Sequence, residues 1–486
     1  MIDCTHALKF IVDLKLRTNL LLRTGEAGEF TDSTIEKTPD GSHLHINGYV
    51  WSSLLMRAMG RLREYEDISG MIGKYDRPEE QGVSLFWFEP SIVPLSGTDT
   101  RPGIKVDRQY GSTTTGALFN DEIVPPGLKM QMRFTCFCKL REIKRVEDKI
   151  ECVEDNIEHI KKAISSTLWV VNDGIENIGG GWVYGHGRLD VFCARMKTLD
   201  LTKPDDRKLL WAAGDEGFSV FDLVKPKDAD IRKPWNKLTV KAAVARGQLL
   251  GIHSSYPLSL ASEYEGMSNL PDTFMFRRYW FDDDGELKTQ YAITGKSIRQ
   301  ALLSVPIERK LRTQGNDICE TPAEYCTCPK CKVYRESGQK GNSPKCTCLR
   351  CAWFGSTKNG GIIAVTDGVF NDKTKTGKPE CVIINRIQLC EHSMQNIQLF
   401  SGEYLKQGTF KFEIFIDMAM GNDMATSIKS GNDLLKEVEC ILNEAKGDNG
   451  PPGWHRIGAT STCTGQIEIR GVATDNYGDS MVQSEV

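Results

Sequence analysis

Residues 9–26, KFIVDLKLRTNLLLRTGE, open with alternating apolar and polar positions, placing Phe10, Val12, Leu14 and Leu16 on one side. That period of two predicts a half-buried strand. Residues 238–253, LTVKAAVARGQLLGIH, carry the same pattern. Each strand is followed by a polar loop with an aspartate, Asp32 in FTDSTIEK and Asp272 in LPDTFMFRR. Each loop then leads to a short apolar segment and a helix, HINGYVWSSLLMRAMGRL at 45–62 and AITGKSIRQALLSVPIERKL at 292–311. In the first helix Leu54, Leu55, Ala58 and Leu62 form an apolar stripe, with Ser52 or Ser53 placed to cap it.

The parallel continues down the chain. Residues 106–134 match 384–415 as two strands of a long hairpin, amphipathic helices follow around 156–168 and 432–445, and glycine-bearing segments come last, IGGGWVYGHGRLDV at 178–191 and IGATSTCTGQIEI at 457–469. The offset between matching positions grows between Gly48/Gly295 and Arg108/Arg386 by about the length of a cysteine cluster found only in the second half. The chain reads as a duplicated domain with an insert in copy two. Strand, helix, hairpin, helix, strand is the ferredoxin-like order, so the fold class is α+β: two tandem ferredoxin-like domains, each with one sheet face free for a ligand. The boundaries are 1–200 for the first domain, 201–235 for a charged, proline-bearing linker, 236–473 for the second domain with its insertion at 319–351, and 474–486 for a solvated tail.

Composition narrows the function. At 486 residues the chain calls for two or three domains, and 40% hydrophobic with 26% charged residues is ordinary for a globular protein. No run of eighteen apolar residues occurs and the amino terminus lacks a signal-peptide pattern, so a cytoplasmic protein is expected. A net charge of −4 excludes a global polycation. Any nucleic acid must be held by local surfaces. Seven of sixteen cysteines (Cys319, Cys326, Cys328, Cys331, Cys346, Cys348 and Cys351) fall within the insertion, which in a cytosolic chain favours a metal over disulfides. Cys328-x2-Cys331 and Cys348-x2-Cys351, sixteen residues apart, have the spacing of a structural four-cysteine Zn²⁺ knuckle. Cys326 and Cys346 are competing ligands, Cys319 is a spare, and an iron–sulfur cluster is the alternative.

The glycines carry the next signal. Gly179, Gly180, Gly181, Gly185 and Gly187 would let backbone amides approach phosphate oxygens, and Gly48 and Gly295 precede helix amino termini. Tight turns are the competing reading. The G-x-G at 185–187 runs into a strand, not a helix, which excludes a dinucleotide fold. In KTKTGKPE at 373–380, Asp372 and Pro379 stand where a phosphate-binding loop needs glycine and serine or threonine.

Taken together, the aspartate loop, the glycine before the first helix, R-P-G-I-K-V-D-R at 101–108, the "VPPG" strand start and the glycine loop at 178–187 resemble the RAMP superfamily. More specifically, the chain resembles backbone subunits of type III CRISPR effector complexes, and its two copies resemble the fused double form of some type III-D systems. That resemblance implies a partner set of guide crRNA, single-stranded target RNA and other effector subunits. It also implies RNA contacts at Gly48, Arg108, the five glycines of 178–187, Gly295, Lys296, Ser297, Arg386 and Gly458, and a zinc motif just before Trp353-Phe354-Gly355. The hairpins, Tyr110 through Leu118 and Leu389 through Leu399, would be thumbs that wedge between bases and evert a nucleotide. Asp32 resembles the family aspartate that supports Mg²⁺- or Mn²⁺-dependent cleavage of target RNA, and Asp272 is its duplicate in a diverged loop near Asp282, Asp283 and Asp284. The expected activity is a metal-dependent endoribonuclease; a non-catalytic RNA-binding scaffold and a guide-processing ribonuclease are the alternatives. His43 and His45 read as half-buried strand and receive no role.

Overall fold

The computed structural model describes residues 4–28, 31–63, 84–106, 113–138, 153–212, 214–254, 271–316, 348–355, 361–371, 379–389, 396–419, 424–444, 454–457 and 465–477. In the first half, β1 (His6–Leu16), α1 (Gly48–Met59), β2 (Phe86–Phe88), β3 (Asp99–Val106), β4 (Thr113–Ile123), β5 (Lys129–Cys138), α2 (Val153–Asp173) and β6 (Leu189–Asp200) follow one another. Then come α3 (Pro204–Leu209) and β7 (Ser219–Phe221). The second half begins with β8 (Trp235–Val244), β9 (Arg277–Phe281), β10 (Leu287–Ile293), α4 (Gly295–Ile298), α5 (Val305–Thr313) and α6 (Leu349–Phe354). It continues through β11 (Ile363–Val365), β12 (Gly368–Phe370), β13 (Glu380–Leu389), β14 (Asn396–Gln407), β15 (Thr409–Asp417), α7 (Met424–Glu444), β16 (Trp454–Arg456) and β17 (Gln466–Tyr477).

Both main sheets are antiparallel and share one plan. The first has the order β2-β5-β1-β6-β7, the second β9-β10-β12-β15-β8-β17-β16 with β11 also on β15. Each half therefore seats its opening strand between the strand after the hairpin and its own closing strand. Even the irregularities repeat, because β6 bulges where it passes Asp13/Leu14 and β17 where it passes Lys241/Ala242. A bulge adds one residue and local twist, so its recurrence at matched positions fixes the same curvature in both sheets. The predicted thumbs are separate two-stranded ribbons, β3–β4 and β13–β14.

The alternation of β1 sends Leu8, Phe10, Val12 and Leu14 into a core with Trp51, Leu54 and Leu55 of α1 and Ile160, Ile164 and Leu168 of α2. Leu238, Val240 and Ala242 do the same in the second half. Asn47, rather than Ser52 or Ser53, caps α1, its Oδ1 accepting from the Tyr49 amide. The helix starts earlier than the apolar stripe suggested because Asn47 precedes Gly48, which lies against β2. Among the described residues no helix is long and apolar enough to cross a membrane.

Two expectations change. The tail starts later than residue 474, since β17 runs to Tyr477, which is buried and donates to Asp173 Oδ1 at 3.1 Å. The segment 201–235 is also more than a connection: β7 extends the first sheet along β6, and Ile231 bridges to Leu62. On the first sheet's outer side, Lys9 Nζ reaches the carbonyls of Leu210 and Ala212 from this same segment.

Candidate nucleic-acid interface

The aspartate loops and hairpins are joined identically in the two halves. Asp32 donates its amide to Asn120 O (2.8 Å) and accepts the Asn120 amide at Oδ2 (2.7 Å). Asp272 donates to Ser401 O (3.0 Å) and accepts the Ser401 amide at Oδ2 (2.6 Å). Parallel bridges follow at the next residues, Ser33 to Asp121 and Thr273 to Gly402. Both aspartates are exposed. Among the described residues, the other oxygen of each, Oδ1, makes no hydrogen bond. Each carboxylate is thus held by one oxygen against the hairpin base while the other stays available to a cation or a donor.

Sequence reasoning missed the buried partners of these loops. Glu122 Oε2 accepts the Ile35 amide (3.1 Å) and Oε1 the Lys37 ammonium (2.5 Å). Glu403 Oε2 accepts the Met275 amide (3.0 Å) and Oε1 the Arg277 guanidinium (2.9 Å). The cation stands five residues after the aspartate, and the glutamate two residues after the hairpin residue, in each half. This spacing was the available signal. Burial would raise the pKa of Glu122, but Lys37, the Ile35 amide and Thr98 outweigh it and hold the carboxyl below its ordinary value. Asp282 and Asp283 stand apart from Asp272, in the turn after β9, where Asp283 pairs with Lys15 at 2.9 Å.

The glycine loop is corrected in its physical role. Gly179, Gly181, Gly185 and Gly187 have φ of 70°, 77°, 72° and 74°, a region that side chains rarely enter. A Cβ on Gly187 would sit 1.9 Å from Ile178 O, and one on Gly185 2.6 Å from Thr366 Cα. The amides of Gly180, Gly185 and Gly187 donate to Leu21 O, Trp182 O and Asn19 O. Those three N–H groups therefore cannot serve as the free phosphate cradle that was expected; the chain already uses them. Gly179 and Gly180 are exposed, whereas Gly185 and Gly187 are buried. The second loop closes in the same way, with Ile457 N to Gly465 O and Gly465 N to Leu249 O both 2.6 Å, matching Ile178 N to Gly187 O (2.8 Å) and Gly187 N to Asn19 O (2.6 Å). Gly465 is thus the counterpart of Gly187; Gly458, expected among the RNA contacts, lies outside the described residues.

The helix starts are likewise packed on protein. A Cβ on Gly48 would meet Phe88 O at 2.4 Å and one on Gly295 would meet Val365 O at 2.3 Å. Gly295 donates its amide to Asp367 Oδ1 (2.7 Å), so a carboxylate of the chain occupies the place proposed for phosphate. Ser297 Oγ and its amide both engage Thr294 Oγ1. Lys296 Nζ lies 5.9 Å from the Tyr184 ring centroid, which brings the second helix start and the first glycine loop onto one seam between the halves. Burial lowers the Lys296 pKa, opposed by Asp121.

That seam holds a cavity of about 650 Å³, lined by Arg23, Arg57, Arg61, Arg101 and Lys233 and by Trp182, Tyr184 and His186. Its acidic lining is Asp121, Glu176 and Asp417. Arg61 donates to Glu176 (2.5 Å) and to Asp417 (2.6 Å), bridging the halves; burial alone would lower its pKa, and the two carboxylates raise it instead. Arg101 pairs with Asp367 at 3.1 Å and ties the first hairpin to the second half. Burial pushes His186 down to about 4, leaving a neutral imidazole. Arg188 is fully buried with its guanidinium 3.8 Å from the Phe415 ring centroid, and burial lowers it to about 9. His45, by contrast, pairs locally with Glu36 at 2.6 Å.

Of the cysteines, Cys348 and Cys351 are described: both are buried, Cys348 caps α6, and its Sγ accepts the Cys351 amide at 3.4 Å. A Cys-x2-Cys turn whose first sulfur accepts the amide of the second suits a thiolate pair held for a metal. Cys319, Cys326, Cys328, Cys331 and Cys346 lie outside the described residues, as do Arg108 and Tyr110, and the side chain of Arg386 is likewise not described. Among the described residues no group of three metal-ligating side chains occurs.

Residues 29–190 match the family model described as RAMP superfamily, about a third of the chain and entirely within its first half. Over that stretch the chain is similar to the RAMP superfamily. No curated protein matches the chain.

Proposed function

We propose that this chain is a tandem RAMP backbone subunit of a type III CRISPR effector complex, of the fused kind found in type III-D systems. It binds guide crRNA and cleaves complementary target RNA as a metal-dependent endoribonuclease. The observation that carries the reading is the matched pinning of Asp32 and Asp272, each exposed at the base of a hairpin and held by one carboxylate oxygen. A hairpin that everts a base leaves the adjoining phosphodiester bent, and an aspartate at its base stands beside that phosphate. Bound Mg²⁺ or Mn²⁺ would neutralise phosphate charge and acidify the attacking hydroxyl. The chain's own contribution is orientation: the Asn120 and Ser401 amides fix the rotamers of the aspartates, and the buried Glu122 and Glu403 hold the loops that carry them. Guide phosphates meet the exposed Gly179–Gly180 edge and the cationic lining of the seam, where Arg57 and Lys233 border the cavity. A structural Zn²⁺ held by Cys328, Cys331, Cys348 and Cys351 completes the second half.

Cleavage of complementary RNA by the assembled complex with Mg²⁺ tests this reading. Asp32→Ala and Asp272→Ala should each remove one product band while leaving target binding intact. An unchanged ladder favours the non-catalytic scaffold, and cleavage of repeat RNA by the chain alone in EDTA favours the guide-processing ribonuclease.

A further inference from the structure

The two sheets meet different partners at the same corner, and meet them by the same chemistry. Strand register defines the equivalence: Ala7 lies between Phe137 and Leu199, and Lys9 between Thr135 and Lys197. Trp235 lies between Asp417 and Tyr477, and Lys237 between Phe415 and Asp475. In the second sheet this corner receives the carboxy-terminal end of α2 from the first half. Lys237 Nζ donates to the carbonyl of Asp173, the last residue of α2, at 3.0 Å, and Trp235 Nε1 and Tyr477 Oη bond its carboxylate at 2.9 and 3.1 Å.

In the first sheet the corresponding corner receives the chain's own segment 201–221. Lys9 Nζ donates to the carbonyls of Leu210, the C-cap of α3 (3.0 Å), and of Ala212, two residues beyond it (2.9 Å). Ala7, Phe137 and Leu199 pack with Leu201 and Leu210. Asp215 bridges Arg133 and Arg195 at 2.7 and 3.3 Å, and β7 pairs along β6. A lysine ammonium donating to carbonyls at or just past a helix's carboxy-terminal end is the common recognition element in both places.

We propose that segment 201–221 is a strap that imitates the helix end of a neighbouring module and closes the stacking face of the first half. A head-to-tail interface repeats indefinitely unless one end is blocked. Here the second half accepts the first, while the first half carries its own plug, so a second copy of this chain cannot add on that side. The excluded occupant is a second copy of this chain presenting its own helix end. This inference rests on the two-module plan and not on RNA binding.

Sedimentation velocity without RNA tests it, comparing the full chain with a variant whose residues 203–217 are replaced by a glycine–serine linker of equal length. The full chain should sediment at the mass of one chain. The linker variant should shift to multiples of that mass with rising concentration, and Lys9→Glu in its background should return it to one. A linker variant that melts cooperatively yet stays at one mass overturns the proposal. So does a full chain that already assembles through this face and is dispersed by Lys9→Glu. Should the linker variant not fold, Asp215→Lys in the intact strap replaces it, with hydrogen exchange reporting release of 204–217. Release accompanied by association supports the plug, and release without association overturns it.

Discussion

The Asp32 and Asp272 loops share few side chains, yet they make the same bonds to their hairpins. TDSTIEK and PDTFMFR agree in little beyond the aspartate. What persists is one reciprocal pair of bonds to Asn120 or Ser401 and one buried glutamate that takes an amide three residues after the aspartate and a cation five residues after it. The difference is in depth. The Glu403 side chain is 4% exposed against 11% for Glu122, and it also accepts the Tyr291 hydroxyl at 2.8 Å. The second loop has therefore lost the recognisable motif while its support has become more enclosed.

That contrast can be broken most sharply at the glutamates. Glu403→Ala leaves Arg277 buried without its carboxylate and should cost about 3–5 kcal/mol, with Glu122→Ala costing less; chemical denaturation of both variants checks the order. Equal costs would mean that enclosure does not matter. At the seam, Arg61→Met leaves the buried Asp417 without its guanidinium, while Glu176 keeps Arg57 at 3.0 Å, and should destabilise by ~3–5 kcal/mol. Arg188→Met removes a buried cation whose main contact is the Phe415 ring, so it should leave the melting temperature unchanged or raise it.

Smaller still is the loop comparison. Gly187→Ala must push a methyl into Ile178 O and enter a left-handed φ, costing on the order of 1–3 kcal/mol or more. Gly465→Ala, at φ 89°, must enter the same left-handed region and should destabilise as well. The smallest effect concerns pH. His186 titrates near 4 in the folded chain against 6.5 unfolded, so the unfolded state binds the extra proton between those values. Its stability contribution is full above 6.5 and is lost as pH falls toward 4. Melting curves across that window should fall with acid, and His186→Gln should flatten the fall.

The duplicated order of strands and helices was legible because an alternation of two and a stripe at 3.6 are local properties of the chain. So was the pairing of Asp32 with Asp272, which needed only their shared place after the opening strand. Glu122 and Glu403 escaped notice because a glutamate in a hairpin strand looks like a solvated one until the loop that buries it is folded against it. The glycines were seen and misread in part, since φ demand and phosphate approach call for the same residue type.

The linker shows the limit most clearly. TKPDDRKLL reads as a charged connection, and nothing local says that Leu209, Leu210 and Ala212 will face Lys9. By itself the sequence showed the repeated order of strands and helices and the matched places of Asp32 and Asp272 within it. Only the tertiary structure decided that the amides of Gly180, Gly185 and Gly187 are used within the chain, that the halves meet across a cavity rich in arginine, and that the carbonyls of Leu210 and Ala212 lie against Lys9. The reason is physical: periodicity is written in neighbours along the chain, whereas the partner of a carbonyl, an amide or a buried charge is chosen by whatever the fold brings next to it.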